Sequence, residues 1–86
     1  MQLKILLRAG EISDLREQVS FTLIPTQRHP ETGRLLEKKC SYIADFVYVN
    51  SDGKTVVEDV KGDRTPVYRL KKKLMLFIHG IVIQEI

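Results

Sequence analysis

Two strand-like runs joined by a short turn constrain the fold of this chain most strongly. Residues 41–49 and 55–61 are rich in aromatic and β-branched side chains, and Asn50-Ser51-Asp52-Gly53 between them is a turn sequence. The two runs therefore predict an antiparallel hairpin. Both runs also carry charges, which are expensive to bury unless they have partners. These charged residues are Asp45, Glu58, Asp59 and Lys61.

The register of the hairpin decides which charges meet, and two registers are open. A two-residue loop, Asp52-Gly53, places Asp45 on the face of Glu58 and away from Lys61. A three-residue loop that begins at Ser51 places Asp45 opposite Asp59, with Lys61 two residues farther along. We favour the second register because it needs a left-handed residue at position 53, where the chain has glycine.

The second register indicates a metal site. Two neighbouring carboxylates repel each other unless a cation or a proton lies between them, and hard oxygen ligands select Mg²⁺ or Mn²⁺. A lysine beside them can stabilise negative charge on phosphorus or hold an attacking hydroxide. Asp45, Asp59 and Lys61 together therefore suit phosphodiester hydrolysis. The competing interpretation is an exposed cross-strand salt bridge, worth less than about 1 kcal/mol.

The rest of the sequence predicts an α/β fold of the mixed α+β type. Residues 3–8 form a short helix that Gly10 stops, and residues 19–24 form a strand. Residues 26–39 are a solvated basic loop or the tip of a long hairpin. Thr65 caps a helix that begins at Pro66 and ends at Gly80, and residues 81–86 form the last strand.

This order of elements, a helix, three strands, a helix and a strand, predicts a mixed four-stranded sheet with flanking helices. The first three strands form an antiparallel meander, and the second helix provides a right-handed crossover to a final strand parallel to its predecessor.

The length and composition of the chain limit the classes of function that it can have. A chain of 86 residues forms one domain, residues 1–86, with a thin core. The single cysteine, Cys40, excludes an intrachain disulfide framework and a cysteine-based zinc site. No apolar run reaches the roughly 18 residues of a membrane span, so we expect a soluble, cytoplasmic protein with no membrane partner. The net charge of +3 is compatible with a surface that faces phosphate.

Asp45 followed by Asp59-Val60-Lys61 resembles the signature of the PD-(D/E)XK nuclease superfamily. The flanking sequences, residues 42–46 and 56–62, resemble small phage and prophage proteins described as endonucleases or Holliday-junction resolvases. This resemblance implies a restriction-endonuclease-like core that cleaves phage or recombination DNA in a bacterial or phage-infected cell. It also implies that Asp45, Asp59 and the Val60 carbonyl bind Mg²⁺ or Mn²⁺, and that Lys61 orients the nucleophilic water.

One departure from the superfamily pattern concerns the first helix. Such nucleases carry a further acidic residue there, commonly glutamate, and residues 2–8 have none. We therefore expect that part of the first helix is missing from this chain. The alternative function is a non-catalytic DNA-binding or assembly module that retains the nuclease fold. Glu58 is the fallback ligand if the register is shifted; otherwise we expect it to face solvent or to pair with a helix lysine.

Basic side chains in two segments are candidates for contact with DNA phosphates, although a solvated surface is the simpler interpretation. A homodimer is compatible with cleavage of both strands, but no residue specifies one. We expect His29 to be an exposed loop residue and His79 to end the second helix. The DNA-contact candidates are Tyr68, Arg69, Lys71 and Lys72 on the second helix, and Arg28 and Arg34 in the basic loop.

Overall fold

The structure of the chain, a computed structural model, describes residues 3–60 and 65–86. These residues contain three helical segments and six strands. The helical segments are α1 (Leu3–Arg8), α2 (Pro66–Leu74) and a π-helical turn (Met75–His79). The strands are β1 (Ser13–Ile24), β2 (Gln27–Arg28), β3 (Leu35–Glu37), β4 (Cys40–Val49), β5 (Thr55–Asp59) and β6 (Gln84–Glu85).

Four strands form the main sheet, in the order β1-β4-β5-β6. The β1–β4 and β4–β5 pairs are antiparallel, whereas β5 and β6 are parallel. The crossover from β5 to β6 runs through α2, because parallel neighbours cannot be joined by a tight turn. The mixed four-stranded sheet and the mixed α+β class predicted from the sequence are confirmed.

The hairpin of β4 and β5 has the three-residue loop. Phe46 pairs with Glu58 and Val49 pairs with Thr55, and the backbone N–H of Asn50 donates to the Lys54 carbonyl at 2.9 Å. Gly53 has φ +78°, the left-handed conformation that this loop requires. The favoured register is therefore confirmed; the paired residues end at Phe46 and Glu58, and Asp45 and Asp59 lie directly beyond that last pair.

The ends of α2 follow from its sequence. The Thr65 hydroxyl accepts a 3.1 Å hydrogen bond from the Tyr68 backbone N–H, and Pro66 occupies the first turn, where its missing N–H costs nothing. The helical segment ends at Gly80, which has φ +67°. Both limits match the prediction, but the last turn, Met75–His79, is π-helical rather than α-helical.

β1 and β6 differ most in length from the prediction, and β5 ends at Asp59 rather than continuing through Val60. β1 begins at Ser13 rather than at residue 19, because it lies at the sheet edge, where polar side chains remain exposed and the alternation of apolar residues is lost. Positive φ angles at Asp14 and Gln18 interrupt it further. β6 contains only Gln84–Glu85 of the predicted residues 81–86.

The basic segment between β1 and β4 is a hairpin arm. Strands β2 and β3 pair only with each other, and every residue of 25–39 is exposed except His29, which is partly buried. The His29 Nδ1 atom accepts from the backbone N–H groups of Glu31 and Thr32, at 3.2 and 3.4 Å, and so organises the tip. The radius of gyration of 15.9 Å exceeds the roughly 12 Å expected of a compact chain of this length, as a projecting arm requires.

Apolar residues cover both faces of the sheet. The larger cluster lies between the sheet and α2, and the smaller one lies beneath α1. Because β4 is covered on both sides, polar residues in its middle are buried as well. The larger cluster contains Leu23, Tyr42, Ala44, Val47, Val57, Tyr68, Met75 and Ile83. The smaller cluster contains Leu3, Ile12 and Tyr48, with Leu6, Leu15, Phe46 and Val56 packed against it.

Candidate functional site

Asp45 is buried at the point where the pairing of β4 with β5 ends. Its Oδ2 atom accepts a 2.9 Å hydrogen bond from the Val60 backbone N–H, and its Oδ1 atom accepts a 3.2 Å bond from Gln18 Nε2. These two donors hold the carboxylate against the end of β5. An ionised carboxylate has about four lone-pair sites, so it keeps acceptor capacity for a further ligand.

Asp59 is the last residue of β5, and its side chain is completely buried. Its Oδ2 atom accepts a 2.8 Å hydrogen bond from the Tyr42 hydroxyl. Burial raises the pKa of Tyr42 far above its ordinary value, and the hydrogen bond to Asp59 raises it further. Tyr42 therefore remains a neutral donor to this carboxylate.

Both carboxylates act on the same tyrosine. The Tyr42 hydroxyl is bonded to Asp59, and the negative charge of Asp45 also raises the pKa of Tyr42. Asp45 in turn contacts the backbone of Val60, the residue after Asp59. The structure thus brings together the two acids predicted from the hairpin. The third predicted member, Lys61, lies outside the described residues.

Glu58 differs from the prediction. It is buried rather than facing solvent, and it accepts a hydrogen bond from the Tyr48 hydroxyl on the α1 side of the sheet. The predicted solvent-facing position is wrong because α1 and the Tyr48 side chain cover Glu58 on this face. Burial, followed by the bond to Glu58, raises the pKa of Tyr48 to about 12. Each of the adjacent acids Glu58 and Asp59 therefore has its own tyrosine donor.

The donor set fits a hard divalent cation. Asp45, Asp59 and the Val60 carbonyl provide only oxygen donors, the type that Mg²⁺ and Mn²⁺ prefer, and Mg²⁺ commonly uses one or two carboxylates and completes its shell with water or phosphate. Within residues 3–60 and 65–86, no three His, Cys, Asp or Glu side chains are grouped so as to hold a metal ion. The fit therefore rests on two carboxylates rather than three.

Glu85 is a site neighbour that the sequence reasoning missed. It lies directly opposite Asp59 on the parallel strand β6. Its carboxylate accepts hydrogen bonds from the Tyr68 hydroxyl at 2.9 Å and from the Lys72 ammonium at 2.8 Å. These contacts fasten α2 over the end of the sheet where Asp59 lies. The predicted parallel crossover places the last strand beside β5 but does not give its register, so the sequence alone did not identify Glu85.

The second-helix candidates for DNA contact occupy different environments. Tyr68 is buried against Tyr42, with ring centroids 6.5 Å apart. It therefore does not present the exposed surface expected of a residue that contacts DNA. Lys72 is engaged by Glu85, whereas Arg69 is exposed. Lys71 is half-buried and lines a cleft beside Tyr42.

Some of the DNA-contact candidates in the hairpin arm, and the histidines, contact other parts of the protein. Arg28 donates through Nη1 to the Gly33 carbonyl at 3.1 Å, and Arg34 follows the turn with its side chain exposed. His79 ends the π-helical turn as predicted for a helix end, and its Nε2 atom lies 2.9 Å from the Thr22 carbonyl oxygen.

The fold and the site define a small α+β protein with a buried pair of aspartates at a strand end. Residues 1–80 match a family described as a protein of unknown function, DUF1064, and the chain belongs to that family. A search of curated proteins finds no match to the chain, and a search of solved structures finds none either. Among the helices of residues 3–60 and 65–86, none is long and apolar enough to cross a membrane.

Proposed function

We propose that this chain is a metal-dependent DNA endonuclease that hydrolyses phosphodiester bonds, in the class of phage or recombination enzymes that its sequence resembles. The observation that carries the proposal is the hairpin register, whose last pair, Phe46 with Glu58, has the buried Asp45 and the buried Asp59 directly beyond it. Burial of two neighbouring carboxylates is costly unless a cation or hydrogen-bond donors compensate it. The sequence Asp59-Val60-Lys61 adds the lysine that such chemistry uses.

In this proposal Asp45, Asp59 and the Val60 carbonyl hold Mg²⁺ or Mn²⁺. When bound, the ion supplies Lewis-acid stabilisation of negative charge on the phosphate. The Tyr42 hydroxyl and the Val60 N–H fix the two carboxylates, so little reorganisation is needed when DNA binds. Lys61 orients the attacking water.

A restriction-endonuclease-like core is the finer fold proposed for this chain. It is supported by the element order, in which a helix precedes three antiparallel strands of the main sheet and α2 leads to a parallel fourth strand. In that core the two acids come from the second and third of these strands, which are β4 and β5 here.

Cleavage of DNA by matched variants tests the proposal. The protein is incubated with branched and linear DNA in Mg²⁺ or Mn²⁺, alongside Asp45→Asn, Asp59→Asn and Lys61→Gln. We expect each variant to lose at least about tenfold in rate, because a contribution of only about 1.4 kcal/mol to transition-state stabilisation gives that factor.

Glu58→Gln is the matched control, since it makes the same change one residue from Asp59 but on the other face of the sheet. It should cleave at close to the wild-type rate once folding is verified by circular dichroism. Cleavage by Asp59→Asn at the wild-type rate, or an equal loss in Glu58→Gln, would remove the proposed site.

A non-catalytic DNA-binding module is the second candidate function. It is favoured by the grouping of only two carboxylates, and not three metal-ligating side chains, within residues 3–60 and 65–86. This function predicts salt-dependent DNA binding with no cleavage and no metal binding. Mn²⁺ binding that depends on Asp45 and Asp59 would count against it.

A further inference from the structure

A cleft of about 320 Å³ opens between β4 and α2, beside the aspartate pair. Ser41 and Ile43 line it from the strand, and Thr65, Val67 and Lys71 line it from the helix. Its floor includes Tyr42, whose hydroxyl is bonded to Asp59. Ile43 precedes Asp45 by two residues, a distance of about 7 Å along a strand. A strand of DNA lying in the cleft would therefore continue into the carboxylate site.

Three features of the cleft, judged within residues 3–60 and 65–86, remain available to a ligand. The Ser41 hydroxyl oxygen is buried and makes no hydrogen bond to any described residue. Ile43 and Val67 are large apolar side chains that remain 48% and 63% exposed. No carboxylate of residues 3–60 or 65–86 lies within ion-pair distance of the Lys71 ammonium. Buried polar groups are normally hydrogen-bonded, so the Ser41 hydroxyl is available to bond with a ligand that enters the cleft.

These features match the parts of a nucleotide. Ile43 and Val67 present apolar surface to the faces of a base, and the Ser41 hydroxyl can bond to its polar edge or to the sugar. The Lys71 ammonium complements a phosphate, and none of the described residues that line the cleft is acidic. The volume is at the small end of the range for ligand pockets, so it admits one base-sized group rather than a base pair.

We propose that this cleft binds one unpaired nucleotide of a DNA strand, immediately next to the aspartate pair. The proposal rests on the proposed function for the identity of the strand, and it names the substrate class as DNA that contains unpaired nucleotides. Binding in the cleft does not require the metal, so it is measured in buffer that contains EDTA.

Fluorescence anisotropy of a labelled ten-residue oligothymidylate tests the cleft with two matched pairs of variants. Lys71→Gln is compared with Lys73→Gln, which makes the same change on an exposed part of α2. Val67→Glu is compared with Leu70→Glu, another exposed apolar position on the helix. We expect the two cleft variants to weaken binding at least fivefold, and the two controls to weaken it less than twofold.

The choice of ligand separates the possible occupants. The single strand should bind more tightly than a duplex of the same length, and free thymidine monophosphate should compete only weakly. Equal effects within each matched pair would overturn the proposal, because they would indicate general attraction to the helix. Equal affinity for the duplex would also overturn it, as would a free nucleotide that binds as tightly as the strand.

Failure of this proposal and failure of the nuclease proposal give different results. If the cleft fails, Asp59→Asn still lowers the cleavage rate at least about tenfold while the matched pairs bind alike. If the nuclease function fails, no DNA is cut, yet Lys71→Gln and Val67→Glu still weaken binding to the single strand relative to their controls.

Discussion

Replacing Tyr42 by phenylalanine removes a hydroxyl that donates a 2.8 Å hydrogen bond to Asp59 and leaves the buried ring in place. A hydrogen bond to a charged group contributes about 1.5–3 kcal/mol, and the buried carboxylate loses a donor that water cannot replace. We therefore expect the free energy of unfolding at pH 7 to fall by that amount. For a domain of this size, the melting temperature would fall by roughly 6–20 °C.

Urea denaturation of a double-mutant cycle measures this effect. In an Asp59→Asn background the acceptor is neutral, so Tyr42→Phe should cost only about 0.5–1.5 kcal/mol. The same cycle on Tyr48 and Glu58 is the matched comparison, because it repeats the arrangement on the other face of the sheet. The reasoning is refuted if Tyr42→Phe costs less than about 0.5 kcal/mol, or if its cost is unchanged when Asp59 is replaced.

Three further predictions concern the core, the titration of Tyr48 and the turn. Met75→Ala should lower the free energy of unfolding by about 2–5 kcal/mol, because Met75 is fully buried. Phe77→Ala should change it by less than about 0.5 kcal/mol, because Phe77 is 86% exposed. Urea denaturation of the two variants measures these costs, and equal costs would contradict the prediction. The pKa of Tyr48 is raised from 10.0 to about 12, so its stabilisation is complete below pH 10 and is lost as the pH rises through about 12. Urea denaturation at pH 10 and at pH 12 should show wild type losing about 2 kcal/mol more than Tyr48→Phe between the two, and parallel losses would contradict this. Gly53→Ala should cost about 1–2 kcal/mol through its positive φ, with Ser51→Ala as the control; equal melting temperatures for the two would argue against the turn.

The hairpin could be predicted from the sequence because its signals are local. A glycine at position 53 fixes the loop, the loop fixes the register, and the register brings Asp45 and Asp59 together. The ends of α2 were predictable for the same reason, since Thr65 and Gly80 act on the backbone next to them.

Features that depend on distant packing could not be predicted in this way. Glu58 is buried because α1 and the Tyr48 side chain cover it, and no residue near it in the sequence indicates that cover. Tyr68 has the sequence surroundings of a surface helix residue, yet its hydroxyl bonds to Glu85, 17 residues away. Gln18 belongs to a polar run whose strand character comes from pairing with β4.

Calorimetric titration with Mn²⁺ tests the central claim, that Asp45 and Asp59 form a metal site, most directly. Wild type and Glu58→Gln should bind the ion with similar affinity, whereas Asp45→Asn and Asp59→Asn should each weaken binding at least about tenfold, which corresponds to about 1.4 kcal/mol. The claim is contradicted if wild type shows no binding, or if Glu58→Gln weakens binding as much as Asp59→Asn does.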